Sequence, residues 1–240
     1  QHTISGVLIS PLSQDYHVNY VVIADVMSVY FPVYALSQLP AGYLIDRFGL
    51  RICLSLACFF ISLGLMVMLL PSVASILLGR VLVAMGSAFA FIGALKATSL
   101  WIPDRFFSMM VGIINSIGVL GGMVGLVFIN FLIELHGWRH ALMGVAGFGI
   151  CWTLVLALSI RPYALPGKTP CQAKIDPSSL RSILADKTIW LLALYAGILV
   201  GVVMNTFSEL YSVVFLQHTY EIPSSQAAWV ASFLFIGVGI

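Results

Sequence analysis

Four ionisable side chains interrupt long uncharged runs of this sequence: Asp25, Arg80, Lys96 and Glu209. In apolar surroundings such groups can pair with one another, hold a charged solute, or, as carboxylic acids with a raised pKa, carry a proton. A second cluster stands in PAGYLIDRFGLR at 40–51, where Gly42, Asp46, Arg47, Gly49 and Arg51 crowd together. A third, Asp104 with Arg105, lies in IPDRF at 102–106. A carboxylate among cations where the chain turns suits ion pairing and contact with a helix N-terminus. His136 and His140 have the i,i+4 spacing of zinc-binding histidines, but Glu134 is the only acid near them, so no metal site is expected. Of the four cysteines, Cys53, Cys58 and Cys151 lie in apolar segments and read as packing thiols. Cys171 does not, and no CxxC occurs. There is no Walker sequence, G-x-S-x-G or H-E-x-x-H, and no His lies well inside an apolar run, which argues against an ATP-driven machine or an intramembrane enzyme. No cofactor is expected.

The elements that must position these groups follow from composition. The chain is 60% hydrophobic and 8% charged, with a mean hydropathy of +1.05. A water-soluble fold could not bury so much apolar surface, so the solvent for most of it must be lipid. The net charge of +2 is too small to suggest nucleic acid. Spans of about 20 apolar residues are predicted at 18–41, 52–70, 74–101, 106–133, 139–160 and 188–216, with half-spans at 1–10 and from 226 on. These lengths fit helices and exceed barrel strands. The start, QHTISGVLIS, reads as the tail of a helix cut midway, so a fragment is expected. Taking alternate loops, one set holds Arg47, Arg51, Arg105, Arg161, Lys168, Lys174, Arg181 and Lys187, and the other holds Arg139 alone. The basic set should face the cytoplasm. The stretch 161–187 would then be a cytoplasmic loop between a bundle at 1–160 and the start of a second at 188–240. Tyr16 and Tyr220, Ala24 and Ala228, and Ser28 and Ser232 stand at one common offset, as a duplicated half would place them.

Gly42-x-x-x-Asp46-Arg47-x-Gly49-x-Arg51 resembles the loop 2–3 signature of the major facilitator superfamily, with Leu50 where a basic residue is usual. LLGRVLVAMGSAF at 77–89 resembles that family's fourth-helix motif, with Arg80 and Gly86 in place and Ala84 for a common glycine. IPDRF resembles the following loop, and HGWR at 136–139 the outer end of helix five. The resemblance implies an all-α membrane protein of the major facilitator fold, comprising the N-terminal six-helix bundle and the start of the C-terminal one. It implies a secondary carrier working by alternating access, with Asp46 helping to latch the cytoplasmic side against a helix beyond residue 240. Helix five carries Gly118, Gly121, Gly122 and Gly125, a small-residue face suited to close packing. It lacks the proline of the family's proton-antiporter run, which weighs against drug:proton exchange.

For substrate and coupling, Arg80 is the preferred cavity residue, paired with Asp25, Glu209 or an anionic solute. Lys96, sixteen positions on, lies about 160° round the helix, and either lines a site or snorkels to the interface. Asp25 and Glu209 are the candidate proton carriers, with Asn205 and Gln38 as further polar lining. Two cations favour a carboxylate-bearing solute: an organic anion, amino acid or short peptide. A drug or metabolite efflux carrier and a non-transporting sensor of carrier ancestry are the alternatives. The expected partners are that solute, protons and lipid, around a monomer. Short loops suggest a bacterial inner membrane, with the missing N-terminus cytoplasmic; a eukaryotic endomembrane is the alternative.

Overall fold

A computed structural model describes residues 4–159 without a break and, beyond them, 185–196, 198, 212–220, 223, 226–227 and 229–231. All regular structure among them is helical. The helices are α1 (Ile4–Tyr16), α2 (Tyr20–Ser28), α3 (Tyr30–Phe48), α4 (Leu50–Val67), α5 (Val73–Trp101), α6 (Phe107–Ser159), α7 (Lys187–Ala196) and α8 (Ser212–Tyr220). Most of the loop expected at 161–187 lies outside the described residues, as do Cys171, Asn205 and Glu209.

Local chemistry sets most helix ends. Asn19 Oδ1 accepts the Val21 N–H at 3.0 Å to start α2, and Ser72 Oγ accepts the Ala74 N–H at 3.2 Å to start α5. The latter helix stops at Ile102, ahead of Pro103, because the residue before a proline is driven to extended backbone. The α2–α3 span runs 29 residues, roughly 43 Å of helix against a hydrocarbon core of roughly 30 Å. It overruns the predicted span and carries Gly42, Asp46 and Arg47 inside α3. The turn expected at 42–51 therefore contracts to one residue, Gly49, with φ 83° and ψ 158°.

The same device recurs. The 53 residues of α6 would reach about 80 Å if straight, but Gly137 breaks them with φ 80° and ψ 159°, giving two spans where the sequence predicts two. Only glycine populates this region freely. In both places an arginine follows two residues later, in Gly49-Leu50-Arg51 and Gly137-Trp138-Arg139. Replacing Gly137 with alanine should lower unfolding stability by about 1–3 kcal/mol, measured by thermal unfolding of the purified protein. An unchanged midpoint would show that the turn tolerates a side chain.

The main apolar cluster draws Leu8, Ile9 and Leu12 from α1, Met27 and Tyr30 from the α2–α3 span, Leu65 from α4, Ile76 and Val83 from α5, and Leu142 and Ala146 from α6. Leu39, Phe59, Phe128, Phe148 and Leu158 point outward, as a lipid-facing surface requires. Glycines bring the backbones of α4 and α5 close: Gly79 faces the Gly64 carbonyl and, seven residues on, Gly86 faces the Ala57 carbonyl, while Gly93 packs on the Leu54 side chain. On α6, by contrast, a Cβ added at Gly118 or Gly121 meets nothing within 4 Å among the described residues.

Candidate functional site

The described charges gather at three levels of the bundle. At one end, Asp15 Oδ2 accepts from Trp138 Nε1 at 2.8 Å and lies 3.7 Å from Arg139, whose guanidinium rests over the Trp138 ring. At the other end stand Arg47, Arg51, Asp104 and Arg105. There the Arg51 side chain donates to the carbonyl of Ala157, one of the last in α6, where a cation also meets the negative end of the helix dipole. Arg139 and Ala157 are separated by roughly 27 Å of helix, so the lone basic residue of one loop set and the cluster of the other occupy opposite ends. Arg47 donates to Tyr43 Oη at 3.2 Å and covers Phe48, while Arg105 covers Phe106. At Gly42 an added Cβ would meet nothing within 4 Å among the described residues.

Asp46 is drawn inward from this end. Its Oδ1 lies 2.6 Å from Lys96 Nζ, with both side chains about one quarter exposed. The pair sits in a cleft of about 280 Å³, lined also by Gly42, Ile45, Ile92, Leu95 and Ser99. The sequence reading looked for a partner of Asp46 beyond residue 240. The described partner is Lys96, in the same bundle, because α3 and α5, with α4 returning between them, run in the same direction and bring the end of one beside the end of the other. A signal was present: Asp46 lies two residues before the end of α3 and Lys96 five before the end of α5.

Arg80 lies deeper, 1% exposed and the largest fully buried side chain described. Its guanidinium stands 5.0 Å from the centre of the Tyr30 ring and donates to the Met27 carbonyl at 3.4 Å. Tyr30 in turn stacks on Tyr34, with centroids 5.6 Å apart and planes at 14°. The expected contact between Arg80 and Asp25 is not made. Met27 and Tyr30, three residues apart, share the face that meets α5, whereas Asp25 is rotated away from it and exposed. Arg80 and Lys96 do not share a cavity; each reaches the α2–α3 span, near its middle and near its end. The sequence reading missed Tyr30 and Tyr34. Their i,i+4 spacing in an otherwise apolar helix was the available sign.

A family model described as Major Facilitator Superfamily matches residues 1–240. The chain belongs to the major facilitator superfamily. It is an integral, multi-pass membrane protein of the all-α fold common to that family. Among similar proteins are the uncharacterized transporter YybO of Bacillus subtilis, 29% identical over 60% of this chain and 34% of that one; the galacturonate transporter of Dickeya chrysanthemi, 27% identical over 60% and 42%; and the D-galactonate transporter of Escherichia coli, 28% identical over 54% and 30%. The chain thus spans less than half the length of these relatives.

In this superfamily member the Asp46–Lys96 pair is open to a direct test. Asp46→Asn and Lys96→Met each strand a partly buried charge, whereas the double variant removes both. A double-mutant cycle on thermal unfolding should give a coupling of about 1–2 kcal/mol. Additive single effects would mean that the two side chains do not interact in the folded protein.

Proposed function

We propose that the complete protein is a secondary carrier that moves a small carboxylate-bearing organic anion, of the sugar-acid kind, by alternating access. The observation that carries the reading is the Arg80 guanidinium, wholly buried within the spanning bundle. A cation in such surroundings costs several kcal/mol of desolvation, and it is usefully kept where an anion is to be bound. Relatives named as galacturonate, D-galactonate and ascorbate transporters support an acidic sugar or its oxidation product as solute. In this reading residues 1–160 form one rocking bundle, 161–187 connect it to a second that begins at 188–240, and the solute binds between them. Arg80 on α5 takes the carboxylate, with Tyr34 and Gln38 on α3 as further lining. Gly42, Asp46, Arg47, Gly49 and Arg51, with Asp104 and Arg105, form the cytoplasmic rim that opens and closes, and Lys96 is the partner Asp46 returns to within its own bundle. Asp25 and Glu209 are the carboxylates that would carry a coupled proton. The carrier would work as a monomer in a bacterial inner membrane, with its N-terminus and loop 161–187 in the cytoplasm.

The test is a thermal-shift screen of the purified full-length protein with galacturonate, galactonate, ascorbate, glutamate, dipeptides and neutral sugars, followed by uptake into proteoliposomes with and without an inward proton gradient. A carboxylated sugar should raise the melting temperature and be taken up, faster with acid outside. Stabilisation by neutral sugars alone would overturn the anion reading. Binding without uptake would favour a sensor over a carrier.

A further inference from the structure

The α2–α3 span keeps a helical backbone through Val29 but is weakened there. It has a joint at Val29, and Pro32 explains it: a proline has no N–H to return to the Ser28 carbonyl, so one rung of the ladder is missing. Ser28 Oγ turns back to the Asp25 carbonyl at 2.7 Å, the Val29 N–H reaches the same oxygen at 3.3 Å, and the next bond, from Val33 N–H to the Val29 carbonyl, is long at 3.4 Å. Two groups that hold Arg80 flank this joint: the Met27 carbonyl on one side and the Tyr30 ring on the other. Tyr30 is itself 0% exposed, clamped between the parallel ring of Tyr34 and the edge-on ring of Phe31, both at 5.6 Å. It therefore cannot swing away to meet a solute.

We propose that Tyr30 is a positioning residue for the anion site: its immobilised ring face fixes the Arg80 guanidinium and so sets the affinity for a carboxylate solute. This rests on the reading of Arg80 as the anion-binding cation. Desolvated cation–π contacts are among the stronger ones. A guanidinium held in one plane loses little freedom when it takes a carboxylate through two parallel hydrogen bonds. Without the ring, Arg80 keeps its charge and its bond to the Met27 carbonyl but is held less firmly in one plane, so affinity falls while the rocking step does not.

The experiment compares full-length wild type, Tyr30→Phe and Tyr30→Met in proteoliposomes, using radiolabelled D-galacturonate and D-galactonate. Phenylalanine keeps the ring face; methionine fills similar volume without one. Tyr30→Met should raise KM about ten-fold with Vmax within about two-fold, and Tyr30→Phe should stay within about two-fold of wild type in both. Half-saturation of the thermal shift by the same solutes should move in parallel. Tyr30→Leu serves if the methionine variant is not monodisperse. An unchanged KM in a ring-less variant, a loss confined to Vmax, or a phenylalanine variant as impaired as the methionine one overturns the inference while leaving the carrier reading in place. Wild type that neither binds nor takes up either acid overturns the carrier reading, and this inference with it.

Discussion

Arg80→Ala should raise the half-saturation concentration for an acidic sugar about a hundred-fold, or abolish measurable uptake, with folded protein still recovered from the membrane. The magnitude follows from a charge-assisted, two-point contact, whose hydrogen bonds are each worth about 1.5–3 kcal/mol when the donor is ionised. The fold should survive because removing a buried cation also removes its desolvation cost, and exchanging buried ionic groups for apolar ones of similar size is often neutral or better. Arg80→Met therefore makes the cleaner companion: it fills the space beside Tyr30 and Met27 that alanine leaves empty. Arg80→Lys retains charge but not the planar fork, and it should recover only part of the affinity. Uptake per folded molecule is the measurement. Wild-type kinetics in either the alanine or the methionine variant would remove Arg80 from the solute site.

Gly79→Val should prevent assembly of the bundle, with a loss above about 3 kcal/mol. A Cβ built at Gly79 would lie 2.5 Å from the Gly64 carbonyl oxygen, and one at Gly64 would lie 2.7 Å from the Gly79 oxygen. The obstacle on each side is backbone, which cannot rotate out of the way as a side chain can. A Cβ built at Gly86 would likewise lie 2.6 Å from the Ala57 carbonyl oxygen, so the same register holds one heptad on, and the helices cannot separate at one point without opening the seam. Gly144→Ala is the control: an added Cβ there meets nothing within 4 Å among the described residues, and alanine favours the helix by about 1 kcal/mol. Yield of monodisperse protein and its thermal midpoint read both out. Wild-type stability in Gly79→Val would mean that α4 and α5 do not pack this closely.

The rocking reading depends on that seam, since α5 carries Arg80 and Lys96 on a rail set against α4. Two cations sixteen positions apart can serve different ends of one span only if the helix stays straight between them. α5 does so, running as one helix from Val73 to Trp101. Of the glycines between them, which a sequence reader could take for a bend, Gly86 is a place where another backbone comes close, and Gly93 packs on the Leu54 side chain.

Several features were legible without coordinates because they depend on each residue's own chemistry or on its near neighbours. Long uncharged runs had to be spanning helices, since an unpaired peptide group in hydrocarbon costs several kcal/mol. The basic residues of alternate loops marked two ends, and Arg51 and Arg139 indeed lie at opposite ends of the bundle. Glycine at 49 and 137 announced turns, though not that each turn would be a single residue.

Which charge meets which was decided elsewhere. The pairing of Asp46 with Lys96, the seating of Arg80 on Tyr30, and the exposure of Asp25 depend on how far each helix is rotated and slid against its neighbour. Periodicity along one helix says which residues share a face, but nothing about the face opposite. Rotation and register are set by the sum of many short-range contacts, above all the backbone approaches at Gly64, Gly79 and Gly86, and those exist only once the helices are packed together.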